Sequence, residues 1–317
     1  MNVPENLCIS CMRSIPHDTE MHCPYCGFNG KSYQAQEGLL KPATLFENRY
    51  HVGAAYLREK IFTSGSSDTT FASYSAYDTI MRRRVVLRVF REKSTGFEHY
   101  TRCGRFTDTF KRLALLGIAS YPAVYTCKTF DGGAYAVCEY VSDTTFTHEI
   151  AQRGRTGFEE AKALLLPVIV TLKLMHDERL IHGCVCADAV RRRGKDITLC
   201  DASTAACEKT AADDVRDFLR LLVAVMYGSI SPVPREFITG TFLARNENKL
   251  PDDALQCIRS AFDGGMEVTS EEVLRSVYRC GSIELGMKKK VPSTPGWLIK
   301  YARVEGVKIK GLITSLS

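Results

Sequence analysis

An α+β chain of two lobes, strand-rich first and helical second, with a small cysteine module in front, is what this sequence predicts. Three observations lead there. Short β-branched and aromatic runs, separated by turn residues, fill positions 45–141; from Phe158 the apolar period becomes helical; and four cysteines stand apart before position 30. The 317 residues suffice for one large domain with a small one attached, and an apolar content of 45% excludes wholesale disorder.

The cysteine module, residues 1–30, comes first. Cys8-Ile-Ser-Cys11 and Cys23-Pro-Tyr-Cys26 are two C-x-x-C pairs joined by a short loop, a spacing that offers four thiolates to a tetrahedral metal ion. Gly27 suits the turn after the second pair, because glycine accepts a positive φ; Met12 holds the same place after the first. His17 and His22 lie nearby, but Cys8, Cys11, Cys23 and Cys26 already close a structural site and leave no open position for catalysis. So short a segment cannot fold on a hydrophobic core, and a structural Zn²⁺ is expected to supply most of its folding free energy. The module resembles the zinc ribbons found at the ends of many bacterial proteins. Of the other nine cysteines, Cys127, Cys138, Cys200, Cys207 and Cys257 read as small apolar fillers.

A polar linker, 31–44, leads into the strand-rich lobe, 45–141. Strands are expected near Arg49–Val52, Thr70–Tyr74, Arg84–Phe90, Ala123–Cys127 and Ala134–Val141, with one helix near Arg105–Leu116. In the helical lobe, 142–280, Phe158, Ala161, Leu165, Val168, Leu172 and Met175 follow helical spacing, with Pro167 as the place for a kink. Asp214–Tyr227 is apolar nearly all round, as a helix buried in such a lobe must be. Two further helices fit Asp252–Phe262 and Ser270–Tyr278, the latter with Ser270, Glu271 and Glu272 at its start. Residues 281–317 form a basic tail in which Pro292 and Pro295 mark an extended spacer and Val307–Lys310 alternates like a strand.

Seven short motifs fall in this order: Arg49-Tyr-x-Val-Gly53, Tyr74-x-Ala-Tyr-Asp78, Val85-Val-Leu-Arg88, Tyr135-Ala-Val-Cys-Glu-Tyr140, Leu172-x-x-Met-His176, Leu180-Ile-His182 and Leu199-Cys-Asp201. In sequence and spacing they resemble a protein-kinase domain over about residues 45–280, nearest to bacterial Ser/Thr kinases, some of which also follow a zinc ribbon. The resemblance implies the two-lobed kinase fold and fixes where the catalytic groups should stand. Most are absent. After Gly53 no second or third glycine follows in place to approach phosphate. Arg88 stands at the strand lysine and Leu113 at its helix glutamate. Cys184 replaces the catalytic aspartate and Ala189 the metal-binding asparagine. Asp201 survives from the metal motif, which here runs Asp-Ala-Ser, and only twelve residues separate it from Asp214, the counterpart of the aspartate opening the family's central helix. His182 is expected to bridge the loop to the lobe core. A thiol nucleophile at Cys184 or Cys186 is disfavoured, since neighbouring loop side chains seldom point together.

Charge narrows the partners. Residues 1–45 carry a net −1, 46–280 a net +2 and 281–317 a net +5 of the chain's +6. The lobes therefore lack the basic face of a nucleic-acid reader, and Arg82–Arg84 and Arg191–Arg193 read as solvated hairpin residues. The opening Met1–Asn6 has no basic-then-apolar leader pattern, and a cytoplasmic location is the expectation. The chain is thus read as a zinc-ribboned pseudokinase: a non-enzymatic scaffold or allosteric module for a protein partner, such as an active kinase or a membrane-associated complex. No ATP/Mg²⁺ dependence is expected, and any residual nucleotide contact falls to Asp201 and Arg88. The tail's lysines and aromatics suit an anionic membrane surface or a partner. The alternative is an ATP-binding kinase-like enzyme with atypical phosphoryl- or nucleotidyl-transfer chemistry.

Overall fold

The computed structural model describes residues 6–15, 22–29, 40–63, 66–92, 96–142, 144–203, 209–263, 267–279, 283–288 and 299–304. Two units emerge. The first takes Met1–Ala114 and Ala123–Asp143; the second takes Leu115–Pro122, Thr144–Thr204 and Glu208–Ser317.

In the first unit six antiparallel strands form one sheet in the order β1-β2-β3-β4-β6-β5: β1 Leu45–Phe46, β2 Tyr50–Thr63, β3 Ser66–Asp78, β4 Arg83–Glu92, β5 Val124–Phe130 and β6 Gly133–Glu139. The period-2 pattern sorts the side chains. Val52, Ala72, Tyr74, Val85, Leu87 and Val137 share one apolar face. Arg88 and Phe90, at the alternate positions of β4, face the other way. There Phe71 and Phe90 pack against Phe106 of helix α1, Phe97–Leu116, and Phe106 meets Phe110 in turn at a tilt. The last residues of the expected linker are part of this sheet: the Ala43 N–H donates to the Val52 carbonyl, the Val52 N–H to that of Thr44, and the Leu40 N–H to the Tyr74 hydroxyl.

Helix α1 begins eight residues before the expected Arg105, for a non-local reason. The buried Glu92 carboxylate at the end of β4 accepts bonds from the Arg102 guanidinium and lies 3.2 Å from His99 Nδ1, tying the first turns of α1 to the sheet. Burial opposes the Glu92 charge, but Arg102 and His99 together hold its pKa below the usual carboxylate range.

The second unit holds α2 Phe146–Arg153, α3 Phe158–Asp177, a hairpin of β7 Val190–Arg193 and β8 Asp196–Leu199, α4 Ala211–Tyr227, a π-turn Phe237–Phe242 running into α5 Leu243–Asn246, then α6 Asp252–Asp263 and α7 Ser270–Ser276. Helix α4 is buried on nearly every side, as its composition predicts. It starts with a Thr210–Asp213 capping box and stops at Gly228, whose φ of 67° is the left-handed cap that glycine adopts without strain. Helix α7 is capped one residue earlier than expected: Thr269 and Glu272 form the box, while Ser270 is buried and its hydroxyl meets His176. The Arg191–Arg193 triplet is less solvated than its charge indicates. Arg191 is buried, and Arg192 makes a two-pronged ion pair with Glu149 of α2.

Strands β9 Ile283–Lys288 and β10 Ile299–Val304 pair antiparallel, so two segments of the expected tail are extended. The spacer prolines, Trp297 and Val307–Lys310 lie outside the described residues. Among those described, no helix is long and apolar enough to cross a membrane.

Candidate functional site

The four ribbon cysteines converge. Their sulfurs all lie within 4.8 Å of one another, with Cys8 and Cys26 at 3.8 Å and Cys11 and Cys23 at 3.7 Å. Four sulfurs each about 2.3 Å from one zinc ion stand about 3.8 Å apart, whereas a disulfide requires about 2.05 Å. The set therefore fits a tetrahedral ion such as zinc. Two matching turns build it: the Cys8 N–H donates to the Arg13 carbonyl and that of Met12 to Cys8, just as Cys23 donates to Phe28 and Gly27 to Cys23. Both turns end on a left-handed residue, Gly27 at φ 70° and Met12 at φ 55°. Burial pushes the Cys8 thiol up to about 11 and raises Cys11 further, while at Cys23 the backbone N–H groups of Tyr25 and Cys26 outweigh burial and lower it. Ionising these thiols is thus coupled to taking up a cation, and metal binding releases protons.

Arg88, which the sequence resemblance sets at the strand lysine, is a core residue of the first unit. It is 1% exposed, donates from Nη1 to Ser73 Oγ at 2.8 Å, and places its guanidinium carbon over the Phe71 ring, 4.0 Å from the centroid. Phe71 also packs on Phe106; Leu113 is buried further along the same helix. The guanidinium is held by an aromatic face and a hydroxyl. A lysine would reproduce this less well, because its ammonium is a compact, more strongly hydrated point charge with no planar face for the ring. Arg88→Lys is expected to lower the stability of the full chain by about 1–3 kcal/mol in urea unfolding, more than Arg88→Met, which removes the buried charge.

In the second unit the loop after α3 is tied from three directions. The Asp214 carboxylate, fully buried at the start of α4, accepts the N–H groups of His182 at 2.6 Å and Gly183 at 2.7 Å, and lies 3.1 Å from His176 Nε2. His182 takes the Cys184 N–H on Nδ1, so its proton sits on Nε2 and is given to the Cys200 carbonyl at 2.9 Å. Both ring nitrogens are occupied by backbone, the bridging role expected of His182. The strand side closes the ring, with the Ser203 N–H on the His182 carbonyl and the Cys200 N–H on that of Ala189.

Around this frame stand the substituted positions. Cys184 is buried, the Ala189 methyl is fully enclosed, and Asp188 is engaged by the Thr147 hydroxyl. Asp201 is buried with φ 62°, a left-handed conformation that aspartate tolerates better than most residues. At Cys186 hydrogen bonding to Cys184 outweighs burial and lowers the thiol's pKa.

A Cys103–His99–Glu92 series on α1 and β4, with Cys103 Sγ 3.6 Å from His99 Nε2, is invisible to motif reading because only its i,i+4 His–Cys spacing shows in the sequence. Cys103 is buried, and burial, then the Glu92 charge, raises its pKa, so the series anchors a helix and does not arm a nucleophile.

No family model matches the chain, and neither does any curated protein sequence. Solved structures do. The Mycobacterium tuberculosis PknI kinase domain matches with a TM-score of 0.51 at 16% identity, over 76% of this chain and 100% of that one. A double mutant of the same domain reaches 0.54 at 17% identity, over 76% and 99%. The Neurospora crassa PAN3 pseudokinase matches with 0.53 at 13% identity, over 73% of this chain and 62% of that one. The fold is that of a protein kinase, with a four-cysteine cluster added at the N-terminal end.

Proposed function

We propose that this chain is a pseudokinase with a zinc ribbon, a binding or regulatory module that acts on a protein partner as scaffold or allosteric element without transferring phosphate. The observation that carries this reading is the loop in the second unit. A thiol stands where the kinase family places its catalytic carboxylate, an enclosed methyl where it places a metal-binding amide, and His182 has both nitrogens committed to backbone. The conversion of Arg88 from a phosphate contact into a core residue on Phe71 supports the same reading from the first unit. A proposed partner is an active kinase or a membrane-associated complex, in the cytoplasm.

The test is transfer of label from γ-labelled ATP with Mg²⁺ or Mn²⁺ to the chain itself and to generic protein substrates. No incorporation above that of an Asp201→Ala variant is expected; incorporation lost in that variant would overturn the proposal. A second reading, atypical phosphoryl or nucleotidyl transfer, is favoured by Asp201, which is kept in a left-handed conformation at the metal motif. Thermal unfolding with millimolar ATP and Mg²⁺ separates the two, since a ligand bound only to the folded state raises the midpoint.

A further inference from the structure

The two ribbon turns are built alike but end differently, and the difference lies against the kinase-like sheet. After Cys23-Pro-Tyr-Cys26 comes Gly27, with open space where a side chain would go. After Cys8-Ile-Ser-Cys11 comes Met12, in the left-handed region that disfavours a side chain, yet 1% exposed. What encloses it is Gly53 of β2. A Cβ on Gly53 would fall well inside contact distance of Met12 Cε and of the Ile9 carbonyl oxygen, and 2.6 Å from the Ser75 carbonyl oxygen of β3. Only glycine at 53 leaves room for the ribbon to seat.

The seating is also hydrogen-bonded. Along the outer edge of β2, Val52 is paired through both its N–H and its carbonyl with residues 43 and 44. Past Val52 the register with β3 slips. The Ala54 N–H there donates to the carbonyl of Ile9, at 2.5 Å. Ile9 sits between the ligands Cys8 and Cys11. The next carbonyl-bearing ligand, Cys11, accepts from Arg84 Nη1 of β4 at 3.4 Å, and that guanidinium is steadied over the Tyr140 ring.

We propose that the ribbon is a metal-responsive clip on this sheet: zinc at Cys8, Cys11, Cys23 and Cys26 and the ordered edge of β2 at Gly53–Ala54 form one coupled equilibrium, making zinc an effector of the kinase-like domain. The ion fixes the turn that presents Ile9 and Met12, and these two residues complete the edge. Coupling of this kind is reciprocal: ordering the edge raises zinc affinity by the factor with which zinc favours the ordered edge, so a change at Gly53 or Met12 that disfavours the seated edge weakens zinc binding. The inference stands whether or not the domain transfers phosphate.

Hydrogen exchange on the full chain, in reducing buffer, tests it with zinc bound and after chelation. Removing zinc is expected to speed exchange at the Ala54 amide at least ~10-fold while the amides of α4 keep their protection. In zinc competition titrations, Met12→Ala and Gly53→Ala should each weaken binding at least ~5-fold with all four cysteines intact. Met12→Ala leaves the sheet itself untouched, so it reads the coupling even if Gly53→Ala misfolds. The proposal is overturned if Ala54 exchange changes less than ~2-fold on chelation, if α4 loses protection to the same degree, or if Met12→Ala binds zinc like the parent.

Discussion

Asp214→Ala should destabilise the helical unit by about 3–5 kcal/mol, read as a lower urea midpoint in far-ultraviolet circular dichroism. The carboxylate is fully buried, and its removal takes away the acceptor of the His182 and Gly183 N–H groups and one of the two polar partners of the His176 ring, the other being Ser270. Asp214→Asn should recover part of the loss, because an amide oxygen can accept one of the two N–H groups while its NH₂ faces the other. A loss below about 1 kcal/mol for alanine would mean that the loop is held by something other than this carboxylate.

Cys11→Ser should take zinc from about one ion per chain to a small fraction of that, measured by elemental analysis after gel filtration with thiols reduced. Structural zinc sites bind with apparent free energies of about 10–16 kcal/mol, far more than a segment with three sheltered cysteines and little apolar core can replace. His22→Ala should leave the zinc content unchanged, since the four sulfurs already occupy the corners of the tetrahedron. Equal loss in both variants would contradict the all-cysteine site.

Features with a short-range cause were legible from the residues alone. The C-x-x-C pairs, the β-branched and aromatic runs of β3 and β4 and the all-round apolar pattern of α4 are written within a dozen residues each, and the strands and the helix form there. Non-local causes account for what was not. Helix α1 starts early because Glu92, on a strand, reaches Arg102 and His99. Thr269 takes the cap because Ser270 is drawn to His176, almost a hundred positions away in the chain. At the candidate site the identities at 88, 184 and 189 could be read from the sequence, but their environments could not. That Arg88 lies over Phe71 and that Met12 lies against Gly53 both depend on contacts across the fold.

One consequence lies in the shape of the loop that Asp214 holds. Gly183 stands at φ 79°, a conformation from which a side chain is largely excluded, and Ala189 has no free space around its methyl. An aspartate written at 184 would stand between a left-handed backbone at 183 and a fully buried alanine at 189, so an arginine and an asparagine placed there with it would bring backbone strain and added core volume.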